Sequence, residues 1–227
     1  QKHEGKKTGA ARLLAFRVAV VADEWAPLEP LLTWLAERDE VEVVVRYEQQ
    51  TLPDNMEGCR AVFMYVHRPL LPENVGKLIR YTCEAGRLVI LHHGLASAKM
   101  ENPEFMQFAG MYLAPRDDPE APWRVIAHAT QTLVNLNPGH FLTSNGVTYE
   151  EMVEYRSGDA PSRTGRFPAL HFADTETFVN QQFTDGREKT VLFGVTCTDS
   201  ATGKPIMQAR GGWLKPQGKG RVFYFQT

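Results

Sequence analysis

Apolar positions fall into two recurring patterns along the first part of the chain. Phe16 to Ala22, Val41 to Arg46, Ala61 to Val66 and Leu88 to Leu91 are short runs rich in apolar or β-branched residues. Such runs predict strands covered on both faces, as in a parallel sheet. Between them Leu28, Leu31, Leu32 and Leu35, and later Val75, Leu78, Ile79 and Cys83, recur at helical spacing. Pro27 or Pro30, and then Pro72, suit the first turns of these helices, and Gly86 stops the second. The order β-α-β-β-α-β predicts an α/β fold with right-handed crossovers and a mostly parallel sheet.

The pattern is less regular after Gly94. Asn102 or Ser97 is placed to cap a helix through Phe105, Met106, Phe108 and Ala109, closed by Gly110. Pro115 to Pro122 reads as a loop, Trp123 to Thr130 as a strand, and Asn135 to Tyr149 as irregular chain with turn signals at Pro138-Gly139 and Asn145-Gly146. Tyr149 to Tyr155 fits either a short helix or an extended segment. The polar stretch 157–168 reads as a long loop. Val191–Val195, Pro205–Ala209 and Arg221–Phe225 predict three late strands that extend the sheet, partly antiparallel. Gly218-Lys219-Gly220 reads as a tight turn, because no helix follows it to complete a phosphate loop. One domain over 16–227 is expected behind a polar, disordered tail, 1–15.

Composition narrows the classes. With 43% hydrophobic and 23% charged residues the 227-residue chain can bury a core of its own. A formal charge of -2 gives no bulk attraction for nucleic acid, and no apolar run is long enough for a transmembrane segment. Cys59, Cys83 and Cys197 have no paired or zinc-ribbon spacing, and buried thiols are expected. A polar start at Gln1 suits a periplasmic or secreted chain freed of its leader, with a cytoplasmic chain as the alternative.

The chemistry gathers at predicted strand ends. The stretch Gly86 to Ser97 runs through a buried strand into His92-His93-Gly94. Ligands in open α/β sheets bind beyond the carboxyl ends of the strands. Asp23-Glu24 ends the first strand and His67-Arg68 the third, so Asp23, Glu24, His67, Arg68 and His92 are expected around one crevice. Histidine there suits a general base or a metal ligand. His67, His92 and a carboxylate would make a three-ligand set for a divalent metal such as zinc. Glu150, Glu151 and Glu154, with Tyr149 and Tyr155, form an acidic cluster. His171 fits either crevice or core, while His128, within a strand pattern, reads as core or surface.

Leu91-His92-His93-Gly94, the segment His140-Phe141-Leu142-Thr143-Ser144-Asn145-Gly146, the pair Glu150-Glu151 and the terminal strand from Gly218 to Tyr224 together resemble the ThuA-like (trehalose-utilisation) family. That family usually carries His-Pro-Ile and Asp-Glu where this chain has His140-Phe141-Leu142 and Glu150-Glu151. The resemblance spans most of 16–227 and implies a flavodoxin-like three-layer sandwich, the fold of class I glutamine amidotransferases. Those enzymes place a nucleophilic cysteine after this strand. Here the position holds His92 and His93, so glutaminase chemistry is not expected. The resemblance implies a carbohydrate-processing enzyme acting on a sugar or modified disaccharide. His92 is expected as its acid/base group, assisted by His67 and Glu151. Asp23, Glu24, Arg68, His93, Glu150 and His171 are expected to bind substrate. The alternative is a non-catalytic carbohydrate-binding or accessory module. A small-molecule carbohydrate partner and a homo-oligomer are expected, without nucleic acid.

Overall fold

A computed structural model describes residues 15–95, 99–159, 162–183 and 186–227. The tail expected at 1–15 lies outside these residues except for Ala15, as does the Ser97 alternative for a helix cap. The chain runs β1 (Phe16–Ala22), α1 (Glu29–Ala36), β2 (Val41–Tyr47), β3 (Cys59–Tyr65), α2 (Pro72–Cys83), β4 (Arg87–Leu91), α3 (Pro103–Ala109), β5 (Tyr112–Leu113), β6 (Arg124–Asn135), α4 (Phe141–Ser144), β7 (Glu151–Ser157), β8 (Arg163–Val179), β9 (Gln181–Gln182), β10 (Thr190–Thr198), β11 (Pro205–Gln217) and β12 (Gly220–Phe225). Asn102 caps α3 by accepting the Phe105 N–H at 2.9 Å, and Gly110 closes it in the left-handed conformation.

Ten strands form one sheet in the order β2-β1-β3-β4-β12-β11-β10-β6-β8-β7, while β5 and β9 pair separately. Pairing is parallel from β2 to β12 and antiparallel from β12 to β7. The fold is therefore mixed α/β, and the expectation of a mostly parallel sheet is corrected. Parallel neighbours need a long crossover, usually a helix. Beyond α3 the described helices shrink to the four residues of α4, and turns join the remaining strands. Most of the loop expected over 157–168 is also strand. β7 and the start of β8 form a hairpin that pairs Tyr155 with Gly165 and Ser157 with Arg163. Its exposed Thr164 and Arg166 alternate with half-buried Gly165 and Phe167, so one wetted face gave the segment a loop-like composition.

The parallel half is covered on both sides. Val18, Val20 and Ala22 of β1 pack with Leu28, Leu32 and Leu35 on one face. Ala19 and Val21 point the other way, into a core with Val75, Leu78, Phe105 and Phe108. This period of two places α1 on one face and α2 with α3 on the other. Trp123 and Trp213 are fully buried, as are Val222 and Tyr224 of β12. The cysteines are free; Cys197 is buried and Cys59 half-buried, but Cys83 is exposed at the end of α2, contrary to expectation. Among the described residues, no helix is long and apolar enough to cross a membrane.

The Gly218-Lys219 turn between β11 and β12 sits against the end of α2. Lys219 N–H donates to the Cys83 carbonyl and Arg221 N–H to that of Gly86, both at 3.1 Å. A Cβ on Gly220 would stand 2.1 Å from the Gly86 oxygen and 2.3 Å from that of Thr82. Those are backbone atoms and cannot rotate away. Gly220→Ala is expected to destabilise the protein by at least the ~1–3 kcal/mol typical of overpacking. Chemical denaturation reads this directly, and an unchanged midpoint would mean the turn does not seat here.

Candidate functional site

The carboxyl ends of β1, β3 and β4 open on one side of the sheet, and three imidazoles meet there. The ring centroids of His67 and His93 are 3.9 Å apart, and those of His92 and His93 are 4.3 Å apart. β4 ends in a single 3-10 turn, His92–Leu95. His92 has φ +42°, a left-handed conformation costly for a residue with a Cβ. Gly94 lets the turn press on the sheet, since a Cβ there would stand 2.7 Å from Ile90 Cγ2 and 3.0 Å from the Met64 oxygen.

Asp23 ties the ends of β1 and β3 together. Its carboxylate accepts the backbone N–H groups of His67 and Arg68, each at 2.8 Å. Burial pushes its pKa up, but these two bonds, with His67 and Lys99 nearby, overcome that and hold it below the ordinary value. His67 Nδ1 lies 3.5 Å from Asp23 and 3.4 Å from Glu24 Oε2, without a hydrogen bond of its own. Arg68 is exposed, and beside it Asp23, Glu48, Gln49 and Gln50 line a hollow of about 180 Å³. Asp23, Glu24, His67 and His92, expected in one crevice, do converge, and His93 joins them.

Glu176 completes the group from across the sheet. It sits near the end of β8, with Oε2 3.2 Å from His93 Nε2 and 3.6 Å from His92 Nε2. That oxygen is buried and makes no hydrogen bond. Nothing in the sequence pattern singled out Glu176. The available signal was an acidic residue two places before the wholly apolar Phe178-Val179.

Gln226, directly after β12, organises the far side. Its backbone carbonyl bonds His92 Nδ1. A carbonyl only accepts, so Nδ1 carries the proton and His92 Nε2 is a bare lone pair. In the orientation that satisfies its neighbours, the Gln226 side-chain amide accepts the Phe178 N–H at 3.0 Å and donates to the Phe178 carbonyl at 3.3 Å. The Phe178 ring stacks on His92, with centroids 4.6 Å apart. Sequence reading gave Gln226 no role, because its function lies in backbone geometry.

Burial sets the charge state. It lowers the pKa of His92, against the opposing pull of the Gln226 carbonyl and Glu176. It pushes His93 down to about 3, helped by His92, His67 and Lys99. Lys99 is itself wholly buried, bonded to the Val66 carbonyl, and brought down to about 8 mainly by burial. The Tyr65 hydroxyl is raised to about 12 by burial and by Glu24, Glu176 and Asp23.

The remaining expected residues lie elsewhere. Glu151 Oε1 is 2.5 Å from His171 Nε2, and Thr132 Oγ1 is 3.0 Å from His171 Nδ1. That pair is five residues along β8 from Glu176, roughly 16 Å of strand. Glu150 is exposed just ahead of β7. His128 is a surface residue facing Asp174 at 2.6 Å. A cleft of about 530 Å³ opens at the opposite, amino ends of β3 and β4, between Cys59, Arg60, Lys77 and Arg87. Its position is the wrong end of the sheet for ligands of this architecture.

Two measurements check the site. Because folding depresses the His93 pKa, the unfolded chain binds the proton more readily. Stability is therefore expected to fall as pH drops below about 6.5 towards 3. NMR titration should show no His93 protonation between pH 5 and 7.5; a transition near 6.5 would mean a solvated ring. Gln226→Ala strands the Phe178 N–H, while the Phe178 carbonyl keeps the Gln208 amide as donor, and is expected to cost ~1–3 kcal/mol by denaturation, whereas an unbonded amide would cost nothing.

No protein-family model and no curated protein matches the chain. Its structure resembles a protein of Bacteroides uniformis ATCC 8492 described as ThuA-like, with TM-score 0.60 and 14% identity, over 100% of this chain and 86% of that one. A cytoplasmic protein of Salmonella typhimurium LT2 follows at TM-score 0.53 and 12% identity, over 92% and 86%. A β-galactosidase from Bacillus circulans sp. alkalophilus reaches TM-score 0.50 at 12% identity, but the match spans 92% of this chain and only 28% of the enzyme. At these identities the likeness is one of fold alone, shared with a ThuA-like structure along the whole length of this chain.

Proposed function

We propose that the crevice at the ends of β1, β3 and β4 binds a carbohydrate or sugar derivative and acts on it by general acid–base chemistry, as a ThuA-like enzyme would. One observation carries the reading: three imidazoles and the carboxylates of Asp23, Glu24 and Glu176 converge where strands of this architecture present ligands. Carboxylates accept bonds from sugar hydroxyls, and a histidine beside them can move a proton. Fold likeness to a ThuA-like protein and to part of a β-galactosidase is in keeping with such a substrate.

His67 takes the proton-transfer role in this reading, in place of His92. The His92 side chain is only 14% exposed and its Nδ1 is committed to Gln226. The His67 side chain is 33% exposed, with Nδ1 turned to Asp23 and Glu24. The carboxylates of Asp23 and Glu24 flank the Nδ1 edge of the ring, and the rest of the ring is left to meet substrate. Exposed Glu24 and Arg68 would hold hydroxyls at the rim. Glu150, Glu151 and His171 take no part.

A panel of mono- and disaccharides and glycosides, followed by calorimetry for binding and NMR for product, tests this. The expected outcome is turnover of at least one sugar. His67→Ala should lower kcat/KM by about 10²–10⁴-fold while weakening binding much less. Binding without any turnover would leave a carbohydrate-binding module instead, and absence of binding across the panel would overturn the reading.

A further inference from the structure

We infer that His92, His93 and Glu176 form a binding site for one divalent first-row transition-metal ion of the zinc type. The three side chains each offer a ligand atom, and these atoms lie within 4.8 Å of one another. Glu176 Oε2 is 3.2 Å from one imidazole Nε2 and 3.6 Å from the other. Donors about 2.1 Å from a tetrahedral ion stand roughly 3.4 Å apart, so the two edges that run from Glu176 match such an ion's coordination shell. Two histidines and a carboxylate are a ligand set that zinc accepts while keeping a position open.

The hydrogen bonding points the same way. The Gln226 carbonyl fixes the His92 proton on Nδ1, so Nε2 presents a lone pair to a carboxylate oxygen. That oxygen is buried and accepts nothing. A lone pair facing a carboxylate oxygen that is buried and unbonded is repulsive. A cation placed between them converts both faults into bonds. The carbonyl behind His92 is also the outer partner that ligating histidines almost always have, and it fixes tautomer and ring direction together. Phe178 stacks on the same ring and keeps it from swinging away.

Charge favours a divalent ion. Asp23, Glu24 and Glu176 all act on Tyr65, while the buried ammonium of Lys99 acts on Asp23 and His93 and the exposed guanidinium of Arg68 stands at the rim. Among the described residues these three carboxylates outnumber the two cations, so the crevice attracts positive charge. The ligand set differs from the one the sequence alone allowed, since His67 turns its Nδ1 to Asp23 and Glu24 and stays outside. His67 therefore remains free for proton transfer beside the metal. The inference stands on ligand geometry and holds whatever substrate the crevice takes.

The test reads metal, not turnover. The tag-free full chain is stripped with a chelator, reloaded with Zn²⁺ or Co²⁺, and dialysed. Elemental analysis should give one ion per chain, and Co²⁺ should show the visible absorption of a four- or five-coordinate site. Glu176→Gln keeps the shape of the side chain and should weaken binding at least 100-fold; His93→Ala should do the same and serves as the second variant. The metal should raise the thermal midpoint of the parent chain and leave that of Glu176→Gln unchanged. No retained metal, or equal stoichiometry and affinity in parent and Glu176→Gln, would overturn the inference without touching the carbohydrate reading.

Discussion

The pairing of β12 with β4 is the contact on which the site depends. It is parallel and in register from Arg221 opposite Arg87 to Phe225 opposite Leu91. The next residue, Gln226, therefore stands level with His92. Its main chain orients the histidine, and its side chain grips the strand that carries Phe178 and, two residues earlier, Glu176. One buried amide thus links the parallel half, which supplies histidines, to the antiparallel half, which supplies a carboxylate. Buried polar links of this kind hold a single geometry only when every member is bonded. Gln131 extends the link, donating to Thr177 Oγ1 at 2.9 Å and accepting from Thr227 Oγ1 at 2.6 Å.

The strain at His92 belongs to the same arrangement. A left-handed φ on a non-glycine residue costs of order 1–3 kcal/mol and persists only where surroundings over-determine it. Here a hydrogen bond to Nδ1, a stacked phenyl ring and Gly94 pressed on β3 together fix the turn. Burial then disfavours the charged forms of His92 and His93 beside convergent carboxylates. That combination gives the crevice both lone pairs and negative potential, which suits a cation and hydroxyl-rich ligands alike.

Parts of this were legible in the residues. The runs at Val18–Ala22, Ala61–Tyr65 and Leu88–Leu91 are β-strands, and the leucines from Leu28 to Leu35 face a core as their spacing predicts. Polar residues directly after such strands, Asp23, His67 and His92, could be placed near one another, because parallel neighbours leave the sheet on the same side. Legibility stopped at the antiparallel half. Arg163 to Phe167 looked like loop because half of an edge hairpin faces water. Glu151 looked like a partner for the crevice because it is acidic and close to a family-like segment, yet the β7–β8 register pairs it with Ala169 and its carboxylate meets His171, two residues further on.

By itself, then, the chain order determined which strand ends carry chemistry, since hydrophobic period and local turn residues act over neighbouring positions. Only the tertiary structure decided which carboxylate meets the histidines. Glu176 and His92 are 84 residues apart in sequence (176 − 92), and the strand order β4-β12-β11-β10-β6-β8 that relates them is a property of long-range pairing. The role of Gln226 is of the same kind: any residue there has a carbonyl, and only the register of β12 aims that carbonyl at a ring nitrogen.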